Sequence, residues 1–102
     1  MFHIVTSMED WILRSTKMET VFVFFTRKTC APCHIMEKII KELKISLTLL
    51  LVDCDTFPEI PSRYYIKSTP TLCSWHGGRV WNQYNKGNKP ADIEEFILKE
   101  IK

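Results

Sequence analysis

The stretch T-V-F-V-F-F-T-R-K-T-C-A-P-C-H-I-M-E-K, residues 20 to 38, runs from apolar β-formers through two cysteines into helical spacing. Thr20 to Phe25 is nearly all β-branched or aromatic, which suits a strand covered on both faces of a sheet. From Ala31 to Lys44 the period changes. Ile35, Met36, Ile39, Ile40 and Leu43 recur on one helical face, and Lys38, Lys41, Glu42 and Lys44 take the other. Cys30 therefore falls where a buried strand gives way to a helix, beside backbone N–H groups that have no helical partner. Such groups favour a thiolate and lower the pKa of the first cysteine. The two-residue spacer brings Cys33 round within one turn. Pro32 fixes its own φ, and in the first turn its missing N–H costs nothing. Three readings of the pair stand open: it trades electrons, it holds a metal, or it packs as inert core.

Working outward, Phe2 to Val5 reads as a short strand. Ser7 offers an N-cap, with Asp10 as a shorter form of the capping-box acid, for a first helix that carries Trp11 and Ile12 and ends near Lys17. Leu47 to Asp53 is a second buried strand, and Pro58 to Tyr65 is irregular or a turn or two of helix. Thr71 to His76 and Arg79 to Tyr84 flank Gly77-Gly78, the signature of a hairpin with a two-residue turn. Asn88 to Pro90 opens a last helix with Ile93, Phe96, Ile97 and Ile101 at core spacing. The expected fold class is α/β, a mixed sheet with helices on both faces in the order βαβαβ(α)ββα.

At 102 residues the expectation is one domain spanning 1–102. A chain of this length buries a core without staples, so the four cysteines are free for chemistry. The net charge of +2 argues against nucleic acid or an anionic membrane as partner, and no basic stripe interleaves with aromatics. No basic n-region followed by an apolar core opens the chain, and no run approaches a bilayer span. The expected location is cytoplasmic, where thiols are mostly kept reduced.

With Cys30-Ala31-Pro32-Cys33 after the T-V-F-V-F-F strand, V-D-C-D at 52 to 55 and I-K-S-T-P-T-L at 66 to 72, the chain resembles the thioredoxin family over essentially its whole length. The hairpin glycines and the final amphipathic helix belong to the same likeness. The resemblance implies a thioredoxin fold and a protein-disulfide reductase with no cofactor beyond the Cys30–Cys33 disulfide. It makes Cys30 the nucleophile and Cys33 the resolving thiol. It makes Pro70 a cis-proline opposite the dithiol, and puts Ala31, Pro32, Thr69 and Pro70 against the substrate, whose chain adds as a strand along this edge. Disulfide-containing proteins are the implied substrates, ribonucleotide reductase among them, recharged by a thioredoxin-reductase-like or glutathione-dependent reductant. A thioredoxin-fold binding module that grips a partner by Thr69-Pro70 is the alternative.

The sequence also departs from that family. The usual buried acid, six residues before the first cysteine, is Phe24, and its usual lysine partner on the third strand falls at Leu51. Acid and lysine are lost together, so neither charge is left buried alone. Thr29 and Thr26 stand where the family carries tryptophans. Arg27, Lys28 and His34 surround the pair instead and are expected to depress the Cys30 pKa. A more stable thiolate raises the potential by about 30 mV per 1.4 kcal/mol, toward glutaredoxin values; the competing reading leaves Arg27 and Lys28 pointing into water and His34 as an exposed helix residue. No metal site is expected. Structural zinc needs four ligands in short-spaced pairs, and Cys54 and Cys73 make no second pair. Both read as small buried hydrophobes, with a place near the active face as the alternative for Cys73. Trp75 and Trp81 pack across the hairpin or form an exposed patch.

Overall fold

The structure, a computed structural model, describes residues 1–101; of the expected domain only Lys102 lies outside them. The chain forms β1 (Phe2–Ile4), α1 (Met8–Ser15), β2 (Thr20–Thr26), α2 (Ala31–Glu42), β3 (Leu49–Asp53), α3 (Glu59–Arg63), β4 (Thr71–His76), β5 (Arg79–Tyr84) and α4 (Pro90–Ile101). The five strands make one sheet in the order β1-β3-β2-β4-β5. β3 runs parallel to both β1 and β2, and β4 runs antiparallel to β2 and β5. The expected mixed sheet, parallel in its first half and antiparallel in its second, is the observed one.

Strand alternation sorts the core into two layers. Val21, Val23, Phe25, Leu50, Val52, Cys73 and Trp75 face α1 and α3, where Trp11 and Ile60 meet them. Phe22, Phe24, Leu49, Leu51 and Leu72 face α2 and α4, where Cys33, Met36, Ile40, Ile93 and Ile97 close the second layer. The side chains of the central strand thus divide between two helix pairs, which is why T-V-F-V-F-F shows no polar alternation. In the first layer Trp75 packs edge-on against Tyr64 and Trp11, at ring separations of 4.6 and 5.2 Å. Trp81 is 63% exposed and touches only the His76 ring edge among the aromatic groups, so the two tryptophans divide between core and surface.

Several element ends differ from their sequence reading by a residue or two. α1 stops at Ser15, and the Thr16 hydroxyl donates to the Ile12 carbonyl (2.7 Å). α2 stops at Glu42 because Leu43 turns extended, at φ −69° and ψ 137°. β3 begins at Leu49 rather than Leu47. The hairpin strands have the expected bounds, and Gly77 and Gly78 both take positive φ, +57° and +80°, as the turn requires.

Ser7 caps α1 as expected, its Oγ accepting the Asp10 N–H at 3.0 Å. Asp10 does not return the bond to Ser7. Its carboxylate accepts the Thr6 N–H (3.0 Å) and the Arg14 Nε–H (2.9 Å) and lies 2.7 Å from His3 Nε2, tying β1 to α1. The His3 bond first, then the Thr6 N–H, hold this carboxyl well below the usual carboxylate range against the opposing effect of burial. The native state therefore binds fewer protons than the unfolded chain between its own pKa and the unfolded value of about 3.9. Stability from Asp10 is fully present above about pH 5 and is lost as the pH falls below about 4 toward the folded pKa. Asp10→Asn is expected to be less stable than wild type in urea unfolding at pH 7 and closer to it at pH 3. An equal gap at both pH values would rule this linkage out.

Candidate active site

Cys30 is the N-cap residue of α2, with extended backbone at φ −99° and ψ 102°. Its Sγ accepts the Cys33 N–H at 3.2 Å, so the sulfur takes one of the helix's unpartnered donors. Ala31 and Pro32 follow, both exposed, with proline in the first turn where it costs no helical bond. The two sulfurs are bonded as a disulfide across a Cα–Cα distance of 5.3 Å. The pair is asymmetric: Cys30 is partly exposed, whereas Cys33 is fully buried in the second core layer.

That burial is apolar. Phe24 stands directly opposite Leu51 in the β2–β3 register and opposite Leu72 in the β2–β4 register. The three side chains form a row across the sheet in the layer that holds Cys33. The positions expected to lack the acid and its lysine are thus a packed hydrocarbon pair, and the buried polar residues among those described, Ser15, Thr71 and Ser74, include no carboxylate.

The three cations expected around the dithiol are placed differently from one another. Arg27 forms an ion pair with Asp55. The His34 ring turns back to the loop, its Nε2 lying 2.8 Å from the Lys28 carbonyl, which it reaches as an N–H donor. Lys28 itself is exposed. The Thr69–Pro70 peptide is cis, both residues are half-buried, and the loop is tied by the Thr71 hydroxyl donating to the Ser68 carbonyl (2.8 Å). Thr69 lines a groove of about 450 Å³ together with Arg27, Tyr65, Lys67 and Ser68. Tyr65 is 82% exposed there and holds a left-handed backbone at φ +59°.

The remaining cysteines are free and buried. Cys73 faces the α1 and α3 layer beside Trp75, the opposite side of the sheet from Cys33, and burial pushes its thiol up to about 12. It does not lie near the dithiol face. The Cys54 thiol is also raised, chiefly by burial, with the Arg27 charge opposing. Among the described residues no three His, Cys, Asp or Glu side chains gather at metal-binding distance. One contact of the spacer between the two cysteines was not legible in the sequence: Asn88, before α4, donates its Nδ2–H to the Pro32 carbonyl at 3.3 Å.

The sequence matches the thioredoxin family over residues 4–99. The chain belongs to the thioredoxin family. It is 37% identical over 76 residues to a thioredoxin of Rickettsia bellii, an alignment that covers 71% of this chain and 70% of that protein. It is 29% identical over 90 residues to the chloroplastic thioredoxin Y2 of Arabidopsis thaliana, covering 84% of this chain but only 52%, about half, of the plant protein. The fold superposes on a thioredoxin of Malassezia sympodialis with a TM-score of 0.88 at 16% identity, covering 100% of this chain and 92% of the other. Fold, family and the bonded CxxC pair make this thioredoxin-family chain a thiol–disulfide oxidoreductase, with Cys30–Cys33 as its redox-active disulfide. No helix among the described residues is long and apolar enough to cross a membrane.

Proposed function

We propose that the chain, acting as one domain over 1–102, reduces disulfides in protein substrates. The unequal exposure of the two sulfurs carries the assignment of roles. Only Cys30 can be reached by a substrate sulfur, and Cys33, fully buried, can reach only Cys30. In the reduced enzyme the Cys30 thiolate attacks one substrate sulfur and expels the other as a thiolate, which takes up a proton. Cys33 then loses its proton and attacks Cys30, releasing the second substrate thiol and closing the enzyme disulfide. Two electrons pass from the dithiol to the substrate. A thioredoxin-reductase-like or glutathione-dependent donor returns them, and the cytoplasm is the compartment that suits a reducing direction.

The α2 N-terminus and the Cys33 N–H on Cys30 Sγ support stabilisation of the thiolate. Of the flanking cations, Arg27 is neutralised by Asp55 and His34 spends its N–H on a carbonyl. That leaves Lys28 as the side-chain contributor, and a potential raised toward glutaredoxin values rests on it and on the helix. Ala31, Pro32, Thr69 and Pro70 are the proposed substrate contacts, supported by the exposure of the first two and by the place of Thr69 on the groove. Insulin reduction driven by dithiothreitol tests the reading. Wild type is expected to accelerate precipitation of the insulin chains, and Cys30→Ser to fall to the uncatalysed rate, because a serine hydroxyl supplies no comparable nucleophile at neutral pH. An inactive wild type that still binds a protein partner would leave only the binding-module reading.

A further inference from the structure

α3 closes through a left-handed cap. The Ile66 N–H donates to the Pro61 carbonyl (2.9 Å) and the Tyr65 N–H to the Ser62 carbonyl (3.3 Å), the bond pair that ends a helix through one residue of positive φ. That residue is Tyr65, at φ +59°. Glycine takes such a place freely, whereas an L side chain there crowds a carbonyl oxygen. The fold gains no packing in return. Tyr64, one residue earlier, sets its ring against Trp11 and Trp75, and Ile66, one residue later, is buried in the same layer. Tyr65 between them is turned outward and stays 82% exposed. A local rule broken without a gain in burial points to a functional position.

Tyr65 lines the groove of about 450 Å³ that also takes in Arg27, Lys67, Ser68 and Thr69. That groove is continuous with the dithiol site at two places. The Arg27 carbonyl accepts the Cys30 N–H at 3.2 Å, so one part of the wall is the turn that carries the attacking cysteine. Ser68 and Thr69 lead directly into the cis Pro70. Two cations line the groove and no carboxylate does. Asp55 answers Arg27, while Lys67 is exposed and forms no ion pair among the described residues. The groove thus offers an aromatic face and a free positive charge side by side.

We propose that Tyr65 is a specificity-determining residue, its ring seating an aromatic side chain of the substrate segment beside the disulfide while Lys67 pairs with a carboxylate of that segment. The substrate class is then a protein disulfide flanked by an aromatic and an acidic residue. The inference rests on the reduction of protein disulfides proposed above and can fail separately from it.

The test uses three synthetic peptides, each with a single cysteine and each joined to its own copy as a disulfide dimer. The first carries phenylalanine and aspartate on both sides of the cysteine. The second replaces phenylalanine by glycine, and the third replaces aspartate by asparagine. Pre-reduced protein is mixed with each dimer, and free peptide thiols are alkylated and counted by mass. Every rate is divided by that of dithiothreitol with the same dimer, which removes intrinsic reactivity. The first peptide is expected to react about three- to tenfold faster than the second, the range an aromatic pair supplies. It is expected to lead the third by about twofold, a lead lost in Lys67→Gln or at about 0.5 M salt. Tyr65→Phe should keep the aromatic preference, and Tyr65→Gly should bring it within about 1.5-fold of unity. Tyr65→Gly should also melt no lower than wild type, because it relieves the left-handed strain and uncovers no core. An aromatic preference absent from wild type, or retained by Tyr65→Gly, overturns the proposal, as does a lower melting midpoint in that variant. Equal rates for the first and third peptides overturn the carboxylate requirement. A wild type that reduces no dimer, while dithiothreitol reduces all three, defeats the reduction cycle itself.

Discussion

Phe24→Asp is expected to abolish stable folding at neutral pH. Phe24 is fully buried in the central strand with Leu51 and Leu72 on either side of it in register. Removing a core phenylalanine costs about 3–5 kcal/mol, and an unpaired buried polar group adds about 1–3 kcal/mol. The sum rivals the whole stability of a typical domain, about 5–15 kcal/mol. The new carboxyl would be protonated in the folded state at pH values where it ionises in the unfolded chain. Its folded pKa is therefore raised, and stability falls further as the pH rises above about 4. Any folded fraction should melt at least about 20 °C below wild type, since 1 kcal/mol moves the midpoint by roughly 4–8 °C in a chain of this size. Adding Leu51→Lys places a cation directly across the ladder and should recover part of the loss, with a coupling of about 1–3 kcal/mol in a double-mutant cycle. A single variant as stable as wild type, by calorimetry or urea, would mean that this part of the core is not packed as described.

Cys33→Ser is expected to separate the two half-reactions. Attack by Cys30 needs only Cys30, so a disulfide peptide should still be captured in a single event at a rate within about tenfold of wild type. Resolution needs the second sulfur, so the mixed disulfide should persist and multiple turnover should fall on the order of 10³-fold or more. Mass spectrometry under non-reducing conditions locates the adduct. Sustained turnover by Cys33→Ser, or an adduct on Cys33 in the Cys30→Ser protein, would contradict the assignment of roles. Phe24 and Leu51 replace the acid and its lysine, and no carboxylate is among the buried residues described, so no buried acid stands ready to take the Cys33 proton.

The parts of this molecule that were legible in advance are those written over short distances along the chain. The β4–β5 hairpin follows from two glycines between two apolar runs, and both strands have the bounds those runs suggest. The dithiol follows from a strand, a spacer of two and a helix. The end of α2 was harder to read because Leu43 continues the apolar period while its backbone has already turned extended. Alternation told that Trp75 shares a face with Cys73 but not which face is covered; that is set by Trp11 and Tyr64, distant in sequence. The charges near Cys30 were visible as residues, yet the pairing of Arg27 with Asp55 spans 28 positions and belongs to the tertiary fold. Asn88 reads locally as the opening of the last helix, which begins two residues later at Pro90, and its bond to Pro32 spans 56 positions.

The segregation of the aromatic groups has an optical corollary. Trp11 and Trp75 lie in the layer under α1 and α3, Trp81 stands at the hairpin surface, and threonines occupy positions 26 and 29 beside the sulfurs. Indole emission is quenched by a disulfide only at close range, and here a whole β-sheet separates the two buried indoles from Cys33. The emission of Trp11 and Trp75 is therefore expected to follow collapse and melting of this protein and to change little with its oxidation state.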